Sequence, residues 1–490
     1  MINGRSFVLA AQAVPDMNAV QLNDKTVLSW YDGLSVTFSE DKKYVLIGDC
    51  WSIREGEDPA RYIAETRDLS AENILARENT WCGRYVLILE DRIYMDAVGS
   101  MSVFYHDAYI SNSLNMIREL LGYELKQEKL YDGLAPDFVP GPGTQYDGVK
   151  RLMPSQVYDH VAKSVISRAL LPEYPIEFSS DEERIQCFVK ELAQGMKNLD
   201  KYYEGKTKLI TCTGGRDSRT VLAVSEFAGL KYGTATLEHS EIGNADIEIP
   251  RQLSRALDRK HYYIRRDKKD LSRERYEAFD RHICNYEKGA DRDFYAYGQF
   301  EKLRKEVGSD IVLLRGSVRG AANKDYLKTI VSSDYDCLQR LYPLLSCNPI
   351  YRQSVKDWLD YVSNDPENDL IGPAERVYRE LREGCWLSTI EGVFDIYDDI
   401  TSVQPLNCRR LISLLLGFDV VDRTKKLHEE KITAYADPRL GAIPYDYQLG
   451  GNGAGRARQI SGYLKKILWI LGNYGPGGLI RFLKGKIGRN

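Results

Sequence analysis

The chain has 490 residues, 43% of them apolar and 28% charged, with mean hydropathy −0.41, a globular profile long enough for two large domains. No run of about 18 apolar residues occurs, so a membrane-spanning helix is excluded. Lys+Arg 67 against Asp+Glu 71 leaves a net charge of −4, which argues against nucleic acid as a partner.

The opening MINGRSFVLAAQAVPD lacks the basic start and long apolar core of a secretory signal, so a cytoplasmic setting is expected. Residues 1–165 read mostly as short strands broken by Gly, Asp and Asn, with KYVLIG, RYVLILEDRIYMD and AYISNSLN as the β-rich runs. ARYIAETR and SLNMIRELLGYEL carry helical spacing. The Pro/Gly stretch at 134–156 predicts a surface connection.

From about residue 180 the rhythm changes. Residues 181–197 are helical in pattern, KTKLITCT is a short apolar strand ending at a Gly-rich turn, and a helix follows over 217–227. LKYGTATLE, KHYYIRR and SDIVLLRG predict three further strands, with ADIEIPRQLSRALD a helix between the first two. Strands alternating with helices predict a parallel sheet with helices on its faces. Residues from about 330 to 435 read as mainly helical.

The stretch 441–490 differs: eight Lys/Arg face one acid, Asp446. YLKKILWILGNYGPGGLIRFLKGKIGRN offers two short amphipathic basic stretches around a Gly/Pro hinge. Two readings stand for this tail: peripheral contact with an anionic membrane or an acidic partner, or a packed terminal helix with a solvated basic face.

The nine cysteines form no CxxC pair and the six histidines no HExxH or HxxxH, so reduced thiols and no zinc site are expected. Tyrosine outnumbers phenylalanine 33 to 13, which suggests polar-edged aromatic packing and nothing sharper.

The segment that carries chemistry is Thr213-Gly214-Gly215-Arg216-Asp217-Ser218-Arg219, placed after a strand and opening a helix. Glycines let the backbone approach an anion, and a helix N-terminus offers free N–H groups and a positive dipole end to phosphate. Thr213 and Ser218 can add hydroxyl hydrogen bonds. Asp217 beside phosphates makes sense as a Mg²⁺ ligand. No Lys-Ser/Thr follows the second glycine, so this is not a Walker A loop.

The loop resembles the SGGxDS loop of the ATP pyrophosphatases, which bind the pyrophosphate of ATP and transfer AMP. The resemblance extends to the asparagine synthetase family. GRYVLILEDRIYMDAVGSMSVFYHDAYISNSLNMI is similar to its amidotransferase half, VKRLMPSQVYDH to the stretch before its synthetase half, and WLSTIEGVFDIYDDITSVQPLNCRRLI to the segment ending in R.PFLD..L. The implied fold class is α/β: an Ntn-hydrolase-like αββα domain over 1–165, an adenine-nucleotide α-hydrolase-like (PP-loop) parallel-sheet domain over 175–440, and the basic tail 441–490.

The chain departs from that family at three places. The glutaminase needs a cysteine at the mature N-terminus; here residue 2 is Ile and the first cysteine is Cys50, so glutamine cleavage by that route is not expected. The second Mg²⁺ acid of LSGEGSDEVFGGY falls on Gly320 and Ala321 of LRGSVRGAANKDY, with Asp325 five residues late and Arg315 and Arg319 present instead. The family's late lysine falls near IPYDYQLGGNG, on Tyr447 or Gln448, with Arg456 and Arg458 following.

By the resemblance, Thr213, Gly214, Gly215, Arg216, Asp217, Ser218, Leu237 and Gly316 are the nucleotide-binding candidates, with Leu237 and Glu238 where the family's backbone reads adenine. Asp217 is also the metal candidate. Asp217, Arg319 and Glu391 are the catalytic candidates; Glu391 lies two positions from the lactam synthetases' acid, whose tyrosine partner falls at Ser317. Glu287, Asp291 and Asp293 precede the fourth strand, either as acyl-pocket residues or as solvated surface charges.

The expected activity is an AMP-forming, ATP- and Mg²⁺-dependent amide ligase joining a small-molecule or peptide carboxylate to an amine or ammonia, in secondary metabolism or polysaccharide tailoring. The alternative is a non-catalytic homologue that binds nucleotide or acts as a scaffold. A PP-loop thiolation of tRNA fits less well, because the CxxC pair is missing.

Overall fold

The structure is a computed structural model. It describes residues 4–124, 138–238, 244–265, 291–318, 349–368, 371, 373–397 and 399–449, and, between 464 and 483, residues 464, 467–468, 470–472, 475–480 and 482–483. It is a mixed α/β fold with two antiparallel sheets and one parallel sheet.

The first half contains β1 (Phe7–Ala10), β2 (Asn18–Asn23), β3 (Thr26–Trp30), β4 (Val36–Phe38), β5 (Tyr44–Ser52), β6 (Trp81–Leu89), β7 (Arg92–Met95), β8 (Phe104–Tyr105), β9 (Ile110–Ser111), β10 (Lys150–Arg151), β11 (Gln156–Asp159) and β12 (Ser164–Ser167). They form two six-stranded sheets, ordered β10-β8-β9-β1-β3-β2 and β12-β11-β7-β6-β5-β4.

Alternation along the strands decides the layering. Val45, Ile47, Val86, Ile88 and Ile93 of the second sheet meet Phe7, Leu9, Leu28 and Ile110 of the first in one core. The opposite side chains of β5 and β6, including Tyr44, Leu46, Tyr85 and Leu87, pack with Ile63 and Ile74 of α1 (Pro59–Glu65) and α2 (Ala71–Glu78). On the far side, α3 (Leu114–Leu120) packs Leu114 and Ile117 against Phe104. The layers therefore run helix, sheet, sheet, helix. Asp58, Ser70 and Ser113 begin these helices by accepting backbone N–H bonds from Arg61, Asn73 and Met116.

The described part of the stretch read as a surface connection is instead packed inside. Phe138, Val139, Tyr146, Val149, Leu152 and Met153 are buried. Gly141, at φ +89°, and Gly143 bring its backbone against Ser354, whose hydroxyl accepts from the Gly143 N–H. Glycines that read as punctuation serve close approach here.

The second half contains α4 (Asp181–Tyr202), β13 (Thr207–Thr211), α5 (Asp217–Phe227), β14 (Gly233–Leu237), α6 (Asn244–Ala256), β15 (His261–Ile264), α7 (Asp291–Val307) and β16 (Ile311–Leu314). Then come α8 (Pro349–Ser363), α9 (Pro373–Arg379), a π-helix over Glu380–Leu387, α10 (Ser388–Gly392), β17 (Ile400–Val403) and α11 (Arg409–Leu416), followed by α12 (Val420–Lys425), α13 (Leu427–Ala436) and α14 (Pro438–Gly441). The five strands pair in parallel in the order β15-β14-β13-β16-β17. β17 interrupts the region expected to be mainly helical; its ITSV run is β-branched at three of four positions and completely buried.

Both faces of this sheet are covered, which explains the unbroken apolar run IVLL in β16. Val312 and Leu314 join α4, α5 and α11 in the main core, while Ile311 and Leu313 join Phe300 and Leu303 of α7 on the other face. The main core also takes Trp51, Ile53, Cys82 and Val98 from the sandwich, so the halves share one apolar interior.

Buried polar contacts reinforce that junction. Glu78 receives Arg409 Nε at 2.9 Å, Arg168 Nη2 at 2.8 Å and the Tyr85 hydroxyl at 2.9 Å. Asn407 donates to Asp96 and Ser100, and Arg84 pairs with Asp395.

Candidate functional site

In the order β15-β14-β13-β16-β17, β13 and β16 are neighbours whose following connections leave in opposite directions along the sheet. That is a topological switch point, and ligands of open parallel sheets bind at the carboxyl ends of such strands. The chain after β13 is the Gly-Gly loop leading into α5; the chain after β16 is Arg315-Gly316-Ser317. Between them opens a cleft of about 350 Å³.

Thr213, Asp217, Ser218, Leu237 and Gly316 border this cleft, so one space gathers five candidates from three separate stretches of sequence. Ser317 and Arg315 border it as well. Leu237, Phe300, Leu313, Ile390, Val393 and Phe394 give it an apolar wall, while the loop and Arg315 give it a polar one. Two wider hollows, about 510 Å³ and 590 Å³, lie on the antiparallel half, where neither borders the loop or its helix. The smaller cleft is the better candidate because it joins a helix N-terminus, a cationic side chain and an apolar wall.

Gly214, Gly215 and Arg216 are not among the residues that border the cleft. The Gly214 N–H donates to Asp246 Oδ1 at 3.1 Å, and its carbonyl accepts from Asp446 N–H at 3.2 Å. The Thr213 hydroxyl accepts from Gly215 N–H, and the Ser218 hydroxyl accepts from Thr213 N–H, both at 3.3 Å, so both hydroxyls shape the loop. Arg216 reaches Glu430 at 2.8 Å, and its guanidinium lies 4.0 Å from the Tyr447 ring centroid.

The segment around Tyr447, where the late lysine was sought, does descend on the loop. Arg219 accounts for this. It is fully buried on α5, donates to the carbonyls of Ile443 and Pro444, and lies 3.7 Å from the Tyr445 ring centroid. Arg219, Asp246 and Glu430 were not among the predicted site residues. The available signal for Arg219 was a cation shortly before the apolar run VLAV of a buried helix.

Gly316 stands hard against the start of α5. A Cβ there would lie 2.6 Å from the Asp217 carbonyl and 2.9 Å from the Ser218 nitrogen. Glu391 is buried behind the cleft, accepting from Arg315 Nη1 at 2.8 Å and from Gln404 at 2.9 Å. Arg319, Glu287, Gly320, Ala321, Asp325, Arg456 and Arg458 lie outside the described residues, and the side chains of Asp291 and Asp293 are not among those described.

A further acid, Glu383, sits on the π-helix. It is buried, and neither carboxylate oxygen has a hydrogen-bond partner among the described residues. Burial raises its pKa to about 8; Arg382 and Arg379 oppose the shift, and Asp217 and Glu391 add to it. Glu383 therefore belongs to the same electrostatic neighbourhood as the loop acid, and π-helices recur at functional sites. Burial pushes the Cys212 thiol, on the cleft wall, up to about 11, which keeps it neutral and a poor nucleophile at pH 7.

No three His, Cys, Asp or Glu side chains converge as a metal site among the described residues. The donor chemistry at Asp217 still suits Mg²⁺, which commonly takes one or two carboxylates together with substrate phosphates and waters.

On the sandwich side, Cys50 is buried in β5, its thiol raised well above the ordinary value by burial and by Glu78 and Asp96. The space walled by Arg5, Gly48, Arg84, Met101 and Phe394 is about 10 Å³, at the lower limit for one water. Phe394 is common to that space and to the cleft.

No family model matches the sequence, and no curated protein does. Among solved structures, NMN synthetase from Francisella tularensis matches at 13% identity and TM-score 0.19, over 41% of this chain and 92% of that one. The U34-tRNA thiolase NcsA from Methanococcus maripaludis, with its 4Fe-4S cluster, matches at 11% and 0.22, over 55% and 85%. Glutamine-dependent NAD+ synthetase from Acinetobacter baumannii, in complex with ADP, matches at 11% and 0.19, over 70% and 69%. Likeness at this level assigns nothing to this chain. No helix among the described residues is long and apolar enough to cross a membrane.

Proposed function

We propose that the chain is an ATP-dependent ligase of the asparagine synthetase type, which adenylates a carboxylate and passes the acyl group to an amine or ammonia. The observation that carries this reading is the meeting of the Asp217–Ser218 helix start, Arg315 and Gly316 around one apolar-walled cleft at the sheet's switch point.

In this reading the base of ATP lies against Leu237, Phe300 and Phe394, and its phosphates face the N-terminus of α5. Arg315, anchored by Glu391, takes phosphate charge. Asp217 would hold Mg²⁺, which would neutralise the leaving pyrophosphate. A substrate carboxylate oxygen attacks the α-phosphorus, the bond to the β-phosphate oxygen breaks, and pyrophosphate leaves. The amine then attacks the acyl carbon, and AMP departs with the bonding electron pair. Fixed donors aimed at developing charge are the main source of rate enhancement in such chemistry.

Two observations support an amine taken from solution over ammonia delivered from the antiparallel half. The space between the antiparallel half and the cleft beside Phe394 is only about 10 Å³, at the lower limit for one water, and Cys50 is buried within β5. The neutral Cys212 thiol weighs against thiolation chemistry.

The first test is calorimetric ATP binding with Mg²⁺, wild type beside Asp217→Ala, followed by release of AMP and pyrophosphate from carboxylate and amine pools. Binding weakened by the substitution, with AMP release, is expected. Turnover giving ADP would overturn the adenylation reading, and failure to bind ATP would favour a non-catalytic scaffold.

A further inference from the structure

The described part of the basic tail carries large apolar side chains that are exposed. Leu464, Leu468 and Leu471 are 57%, 68% and 37% exposed, and Ile480 is 55% exposed. All four positions are helical. In sequence the leucines stand at i, i+4 and i+7, the spacing of one row on a helix face. Ile470 and Phe482 lie off these positions and are fully buried, so the two stretches rest on the protein with another side facing out. Elsewhere among the described residues, eight large apolar side chains are similarly exposed, scattered from Val161 to Tyr447. Four within seventeen residues is a local concentration.

Charge identifies what would cover the row. Between 447 and 490 the sequence has eight Lys/Arg and no acid, although the whole chain is net negative. Lys465 and Lys466 directly follow Leu464, and Arg481 directly follows Ile480. An acidic protein surface would satisfy the cations and leave the leucines in water. An anionic bilayer satisfies both, taking the leucines below the headgroups and the cations among them.

We propose that the surface carrying Leu464, Leu468, Leu471 and Ile480 is a peripheral docking surface for an anionic lipid bilayer, lying in the interface and not crossing it. This is independent of the nucleotide reading, because none of these residues borders the cleft.

The test is flotation of the full chain with neutral phosphatidylcholine vesicles and with vesicles containing about 30% phosphatidylglycerol. Wild type is expected to partition at least about tenfold more strongly onto the anionic vesicles. The double variant Leu464→Ser, Leu468→Ser is expected to lose about tenfold of that partitioning with its melting midpoint unchanged, since both side chains are exposed. Lys465→Gln with Lys466→Gln is expected to weaken binding most at low salt. No partitioning onto anionic vesicles would overturn the proposal, as would equal partitioning onto both kinds. Salt-sensitive binding indifferent to the leucine substitutions would also overturn it and point to an acidic macromolecule.

Discussion

Arg315 and Glu391 form a 2.8 Å ion pair in which the carboxylate is buried and the guanidinium borders the cleft. The acid anticipated as a catalytic group thus contacts an arginine that borders the cleft, with Gln404 holding the same oxygen. A guanidinium fixed on one side presents its remaining donors in a set direction.

Glu391→Gln keeps the shape of this anchor and removes its charge. ATP affinity, measured calorimetrically, is expected to fall about five- to tenfold, because Arg315 loses a charge-assisted bond. Arg315→Lys should cost at least as much, since Lys cannot reproduce a planar fork. Unchanged ATP affinity in both variants would remove Arg315 from phosphate recognition.

Gly316→Ala tests the closeness of the two switch-point loops. The added Cβ would meet the Asp217 carbonyl at 2.6 Å, a contact with backbone that no flexible side chain can relieve. The loops must part, displacing the start of α5 from the cleft. Nucleotide affinity is expected to drop at least about tenfold, with a stability loss of roughly 1–3 kcal/mol. Wild-type affinity in this variant would place the phosphates away from the α5 N-terminus.

Glu78 anchors the junction between the halves. Burial alone would raise its pKa, but Arg168 and Arg409 outweigh burial and hold it below the ordinary value. A lowered folded pKa adds stability that is present above the unfolded value, about 4.3, and is lost as pH falls through the folded value. Glu78→Gln strands two buried cations, so thermal unfolding at neutral pH should show a loss of about 3–5 kcal/mol and a flattened acid limb. A midpoint equal to wild type would mean the apolar core alone holds the halves.

What was legible in the sequence follows from the range of the forces involved. The β13–loop–α5 unit is local: an apolar strand, two glycines and a buried helix sit within 21 residues, and the predicted helix bounds agree with Asp217–Phe227. The parallel sheet followed from alternation of elements. β17 did not, because four residues within a helical region leave too short a period to register. The packed 138–156 stretch also escaped, since its burial rests on long-range contacts: Tyr146 and Val149 pack with Phe104 and Ile117, and Gly143 meets Ser354, some two hundred residues away. At the site, Asp217 and Gly316 carried a motif, whereas Arg219, Asp246 and Glu430 act through contacts that only the folded chain creates.

Glu383 carries the sharpest pH prediction. Its folded pKa, about 8, stands well above the unfolded value near 4.3, so the native state holds a proton that the unfolded state has released across that window. Unfolding stability should therefore be highest below about pH 4.3 as far as this group is concerned, fall steadily as pH rises to about 8, and level off beyond it. The expected loss across the window is of the order of 5 kcal/mol. Glu383→Gln mimics the protonated acid and should abolish that slope, leaving the variant more stable than wild type above about pH 8. Nucleotide binding gives a second readout. Wild-type ATP affinity should weaken as Glu383 ionises, because its charge adds to the negative potential around Asp217, whereas the variant's affinity should not change through that range. Parallel pH profiles for wild type and variant, in both melting and ATP binding, would show that Glu383 does not titrate there.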